Sequence, residues 1–205
     1  MSTRLLLATR NRGKLAELQR LLESAVPGVE VVGLADVPEY PEVPETGATF
    51  AENALLKARE AAHRTALVAI ADDSGLAVDA LNGMPGVLSA RWAGRRRDDA
   101  ANLELVLDQL ADVPPERRHA AFICAAAIAT PNGVERVVEG RMHGVITTEP
   151  RGTRGFGYDP IFVAVGQTRT NAELSASEKD AISHRGQAFR GLAAILPQVL
   201  AEAAS

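Results

Sequence analysis

The chain has 205 residues, 46% hydrophobic and 23% charged, with 22 Lys plus Arg against 26 Asp plus Glu for a formal net charge of -4. This supports a single globular domain over 1–205 and excludes disorder, a collagen-like repeat and a disulfide scaffold, since Cys124 is the sole cysteine. The acidic balance argues against a nucleic-acid partner, and no apolar run reaches the roughly 18 residues of a membrane span, so no membrane association and a cytoplasmic location are expected.

In chain order, 4–9 reads as a buried strand, followed by the turn Thr9-Arg10-Asn11-Arg12-Gly13-Lys14 and a helix carrying Leu15, Leu18 and Leu22 at helical spacing. A short strand over 29–34 leads into a Pro/Glu loop over 38–46. Thr49-Phe50-Ala51-Glu52 has the form of a capping box and starts a helix to about residue 65. Residues 67–71 read as a strand ending in Asp72-Asp73-Ser74-Gly75, with 76–78 resuming as a separate extended piece. A helix follows Asp98 and Asp99, with Leu103, Val106, Leu107 and Leu110 as its apolar stripe. The run 120–129 is apolar throughout, as a central strand should be, and Thr130-Pro131-Asn132-Gly133 turns it into 134–142. A glycine-rich segment holding Gly152, Gly155 and Gly157 precedes a strand over 160–165. Ser183 opens a last helix that Pro197 should kink or shorten. Alternating strands and helices followed by a hairpin predict an α/β fold with a mixed sheet.

Several segments could carry chemistry. A strand-to-helix turn such as 9–14 offers unpaired N–H groups and the positive end of the helix dipole to an anion, with Lys14 adding charge; Asn11 could equally serve only as a helix cap. Adjacent acids at the end of a strand, beside such a turn, point to a divalent cation, with Mg2+ the best match to hard oxygen ligands; solvated turn acids are the alternative. Glu45 sits just before the capped helix, and Asn53 and Lys57 share one face of that helix, four residues apart. Gly155-Phe156-Gly157-Tyr158-Asp159 sets aromatic rings among glycines, which suits stacking on a base, although a core aromatic under a loop would look the same. Only Lys14, Lys57 and Lys179 are lysines among the 22 basic residues, and each falls in one of the candidate binding segments. A compact ammonium rather than a planar guanidinium is therefore indicated at those positions.

Taken in order, Thr9-x-Asn11-x-x-Lys14, Glu45-Thr46-Gly47, Asn53-Ala54-x-x-Lys57-Ala58, Ala71-Asp72-Asp73-Ser74-Gly75-Leu76, Gly83-x-Pro85-Gly86, Gly155-Phe156-Gly157-Tyr158-Asp159-Pro160 and Ser183-His184-Arg185 resemble the inosine triphosphate pyrophosphatase family. The Maf-like nucleotide pyrophosphatases share that fold but open with Ser and Arg in the first turn. The resemblance implies an elongated mixed β-sheet flanked by helices, two lobes around a nucleotide-binding cleft, and a homodimer. It implies hydrolysis of non-standard purine nucleoside triphosphates (ITP, dITP, XTP) to the monophosphate and pyrophosphate. By position, Thr9, Arg10, Asn11, Arg12, Gly13, Lys14 and Lys57 would hold the phosphates, while Ser74, Phe156, Gly157, Tyr158, Asp159, Lys179, His184 and Arg185 would line the substrate site. Glu45 and Asp73 would bind Mg2+, with Asp72 a further candidate. Asp73 would also be the general base, a role that competes with metal binding for the same carboxylate. A broader Maf-like specificity and a nucleotide sensor that binds without hydrolysis are the alternatives, and the intact acid pair argues against the sensor.

Overall fold

The computed structural model describes residues 3–9 and 28–203. The turn residues Arg10, Asn11, Arg12, Gly13 and Lys14, and the helix expected after them, lie outside the described residues. Strands β1 (Thr3–Leu7), β2 (Val29–Gly33), β3 (Val68–Val78), β4 (His119–Ala129), β5 (Glu135–Ile146) and β6 (Phe162–Ala164) form one sheet in the order β2-β1-β3-β4-β5-β6. Among the described residues the α-helices are α1 (Phe50–Thr65), α2 (Asp99–Gln109), α3 (Ala176–Ile182) and α4 (His184–Ala203). β1 runs parallel to β2 and to β3, aligning Leu5 with Val31 and with Val68, whereas β5 and β6 are antiparallel through Val145 and Val163. The sheet is thus mixed and the fold α/β, as the alternation of elements predicts. No helix among the described residues is long and apolar enough to cross a membrane.

The residues group into two compact units, one of 1–73, 124–140 and 187–205, the other of 74–123 and 141–186. In the first, Leu5, Leu7 and Ile70 of the parallel strands and Ile128 of β4 pack with Phe189, Leu192 and Leu196 of α4. Each such side chain contributes roughly 1.5–3 kcal/mol on burial. Ala54, Ala58, Ala61 and Ala62 are fully buried on α1. Side chains this small let the helix backbone come close to its neighbours. In the second unit, Leu76 and Val78 of β3 pack with Leu103, Val106 and Leu110 of α2, and with Phe122 and Phe162, whose ring centroids are 4.7 Å apart.

Two expectations are corrected, and one element is added. Residues 67–71 and 76–78 are not separate pieces: β3 runs unbroken from Val68 to Val78, so the two acids lie within a strand and not at its end. Gly75 permits this, because a Cβ there would stand 2.3 Å from Ser89 Oγ and 2.7 Å from the Gly86 carbonyl oxygen. The Ser89 hydroxyl in turn accepts the Leu76 N–H at 2.9 Å and so satisfies the strand backbone in place of a neighbouring strand. Second, α4 is not shortened at Pro197 but continues to Ala203. Pro197 is exposed between buried Leu196 and Val199, whose packing compensates for the roughly 3 kcal/mol that an interior proline costs. Residues 176–182 form the additional helix α3, opened by a capping box between Ser175 and Glu178. At seven residues it is too short to show a periodic apolar stripe.

Candidate active site

In the first unit the site is built on α1. Thr49 and Glu52 make both bonds of the predicted capping box. Glu52 also accepts the Ala48 N–H at 2.6 Å, and the Gly47 N–H goes to Asn53 Oδ1 at 2.8 Å. The three consecutive N–H groups of residues 47–49 are therefore bonded to side chains of α1, which fixes the loop that carries Glu45. One turn after Asn53, the Lys57 ammonium donates to Glu45 Oε1 at 3.1 Å and to Asp73 Oδ1 at 3.0 Å. Asn53 Nδ2 donates to the other oxygen, Asp73 Oδ2, at 3.3 Å.

The electrostatics follow from two carboxylates sharing one cation. Burial pushes the Asp73 carboxyl above its usual range; Lys57 opposes this, and the nearby Glu45 charge adds to it. Burial also works against the Lys57 charge, but Asp73 and Glu45 outweigh it and hold the ammonium above the ordinary lysine value. Side chains alternate along a strand, so Asp72 turns the opposite way from Asp73. It is buried, with Oδ2 4.0 Å from the Cys124 thiol. Thr9 is half-buried just beyond the end of β1, where the preceding Ala8 N–H bonds the Ile70 carbonyl at 2.8 Å.

The second unit holds a separate constellation. Phe156 is 61% exposed, and the Lys179 ammonium lies 5.0 Å from its ring centroid. Asp159 is buried beneath: one oxygen accepts the Phe156 N–H at 3.0 Å and the Lys179 ammonium, and the other accepts Asn171 Nδ2 at 3.2 Å. A Cβ on Gly155 would run into that carboxylate, so the glycine allows the loop to close over it. The Gly157 N–H donates to Asp99 at 2.9 Å, and the buried Tyr158 hydroxyl donates to the Ser89 carbonyl at 2.8 Å. His184 is buried and stacks on Phe122, with centroids 5.1 Å apart at 14°. Arg185 Nη2 reaches Ser74 Oγ at 3.4 Å.

The structure thus brings Glu45, Lys57 and Asp73 together and, separately, Phe156, Asp159 and Lys179. Sequence reasoning left Asn53 and Asn171 without a role. Asn53 gave a signal, a polar residue four positions before Lys57 on an alanine-rich face, whereas nothing in the sequence around Asn171 sets it apart.

A family model described as the Ham1 family matches residues 5–195. The chain belongs to the Ham1 family. It is 64% identical over 202 residues to a dITP/XTP pyrophosphatase of Frankia alni, covering 96% of this chain and 98% of that protein. A crystal structure of a nucleoside-triphosphatase / dITP/XTP pyrophosphatase from Mycobacterium abscessus superposes with a TM-score of 0.81 at 63% identity, covering 95% of this chain and all of that one. A Ham1 protein from Coxiella burnetii, 43% identical, gives a TM-score of 0.89 over 96% of this chain and 99% of its own. The ordered motifs from Thr9 to Arg185 fall inside the matched range.

Two carboxylates that converge on one ammonium also test the fit of a metal. Among the described residues no group of three or more His, Cys, Asp or Glu is placed to hold an ion. Glu45 and Asp73 supply hard oxygen donors at one point, where Lys57 now provides the positive charge. A cation of the Mg2+ type, which takes one or two carboxylates and completes its shell with water and substrate phosphate, matches that donor set.

Proposed function

We propose that this chain acts as one nucleotide-processing domain that hydrolyses dITP, ITP and XTP to the monophosphate and pyrophosphate. The Glu45, Lys57 and Asp73 group carries this reading, and the dITP/XTP pyrophosphatases to which the chain is so similar support it. Water attacks the α-phosphorus, the bond to the bridging oxygen breaks, and pyrophosphate leaves. Asp73 accepts the proton of the attacking water, a role that competes with metal binding for the same carboxylate. Lys57, with Thr9, Arg10, Asn11, Arg12, Gly13 and Lys14, holds the phosphates, and the lysines and arginines among them neutralise the charge that develops on the leaving group. Glu45 and Asp73 would hold Mg2+, which when bound would supply further charge stabilisation to the phosphate oxygens.

Phe156 stacks on the purine, and Lys179 keeps the ring in place while Asp159 holds both. Donors such as Arg185, with His184 and Ser74, donate to a carbonyl at purine position 6 and leave the amino group of adenine facing another donor. A site built that way rejects the wrong group strongly. By family likeness the protein works as a cytoplasmic homodimer. Phosphorus NMR of the reaction in 18O-labelled water tests the chemistry: label in the monophosphate together with unlabelled pyrophosphate is expected, and release of orthophosphate contradicts it.

A further inference from the structure

We infer that Asn53 is a positioning residue for Asp73, fixing the rotation of its carboxylate through the Asn53 Nδ2 to Asp73 Oδ2 bond. The inference rests on the role proposed above for Asp73 as base. A backbone N–H can only donate, so the Asn53 atom 2.8 Å from Gly47 N is the amide oxygen, and Nδ2 is thereby turned to Asp73. The amide is 1% exposed and both of its ends are used, one on the loop bearing Glu45 and one on β3. Gly47 is shaped for this contact, since a Cβ there would stand 2.8 Å from the Asn53 oxygen and 2.6 Å from Glu52 Cβ.

The geometry divides the labour between the two carboxylate oxygens. Lys57 approaches Oδ1 and Asn53 holds Oδ2, so the plane of the Asp73 carboxylate is set by two donors from one face of α1. Lys57 is shared with Glu45 and is proposed to move its charge onto phosphate. Asn53 is neutral and buried, and it keeps the carboxylate aimed when Lys57 turns to substrate. Asparagine is a poorer helix former than the alanines beside it, by about half a kcal/mol, so helix propensity does not explain its presence here.

A double-mutant cycle with ITP tests this, using Asn53→Ala, Asp73→Asn and the double variant, with Asn53→Asp alongside because it keeps an acceptor for the Gly47 N–H and loses the donor to Asp73. We expect Asn53→Ala and Asn53→Asp to lower kcat about 10- to 100-fold with KM within about threefold, as outer-shell partners of a reacting group do. In the Asp73→Asn background, Asn53→Ala should leave the residual kcat unchanged within about twofold, because its effect runs through Asp73. An equal fold-loss in both backgrounds, or near-normal kcat in either folded Asn53 variant while Asp73→Asn is inactive, overturns the inference alone. Near-normal turnover of Asp73→Asn overturns the base assignment and this inference together. Should Asn53→Ala not fold, the same comparison is made with Asn53→Asp.

Discussion

The Lys57 ammonium lies 3.0 Å from Asp73 Oδ1 while it also reaches Glu45, so a single cation from α1 balances two acids, one from a loop and one from β3. Replacing it with an uncharged side chain leaves two partly buried carboxylates facing each other. Lys57→Met is expected to lose about 1–3 kcal/mol of stability near pH 7 in chelator, measured by urea denaturation, as well as most turnover. Lys57→Arg should keep the stability better than the activity, because a planar guanidinium cannot substitute for a compact ammonium held between two acids. Unchanged turnover in Lys57→Arg contradicts this.

The same three residues fix a pH response. The Asp73 carboxyl is raised above its ordinary value of 3.8, chiefly by burial, so between that value and its folded midpoint the folded protein binds more protons than the unfolded chain. The contribution of this group to stability is therefore full below the ordinary value and is lost as pH rises through the folded midpoint. In metal-free protein, carbon NMR of Asp73 should show Glu45→Gln lowering the midpoint, because a like charge is removed, and Lys57→Met raising it. A shift of either variant in the opposite direction sinks the electrostatic account.

Gly75 is required by sterics in the second half of β3. Gly75→Ala drives a methyl into Ser89 and into the fixed Gly86 carbonyl, and should cost about 2–3 kcal/mol in denaturation experiments. Adding Ser89→Ala should recover little of that loss, since the Ser89 Cβ at 2.8 Å and the carbonyl at 2.7 Å both remain.

Phe156 separates binding from folding. Its ring is mostly exposed, so Phe156→Ala should leave the thermal midpoint within a degree or two of the parent. Loss of a stacking face worth about 1–3 kcal/mol should raise KM for ITP at least about fivefold. An unchanged KM removes Phe156 from the substrate site.

Much of this arrangement is legible in the sequence, and the reasons are local. The capping box of Thr49 and Glu52 announces α1, and the uniform apolar run around Cys124 announces the central strand β4. The continuity of β3 is hidden because Asp72, Asp73 and Ser74 interrupt the apolar pattern, and only tertiary partners, Lys57 and Asn53 for one acid and Ser89 for the backbone beyond, make polar residues tolerable inside a strand. Asp159 shows the same limit. Its two oxygens are met by Phe156, Lys179 and Asn171, and no spacing rule connects residue 159 to residue 171.

The most direct test of the central claim is the rate of pyrophosphate release from ITP, XTP, GTP and ATP, each with Mg2+ and with chelator. Fast turnover of ITP and XTP, with ATP slower by orders of magnitude and all activity lost in chelator, is the predicted result. Comparable rates on ATP, or turnover of ITP that survives the chelator, would contradict it.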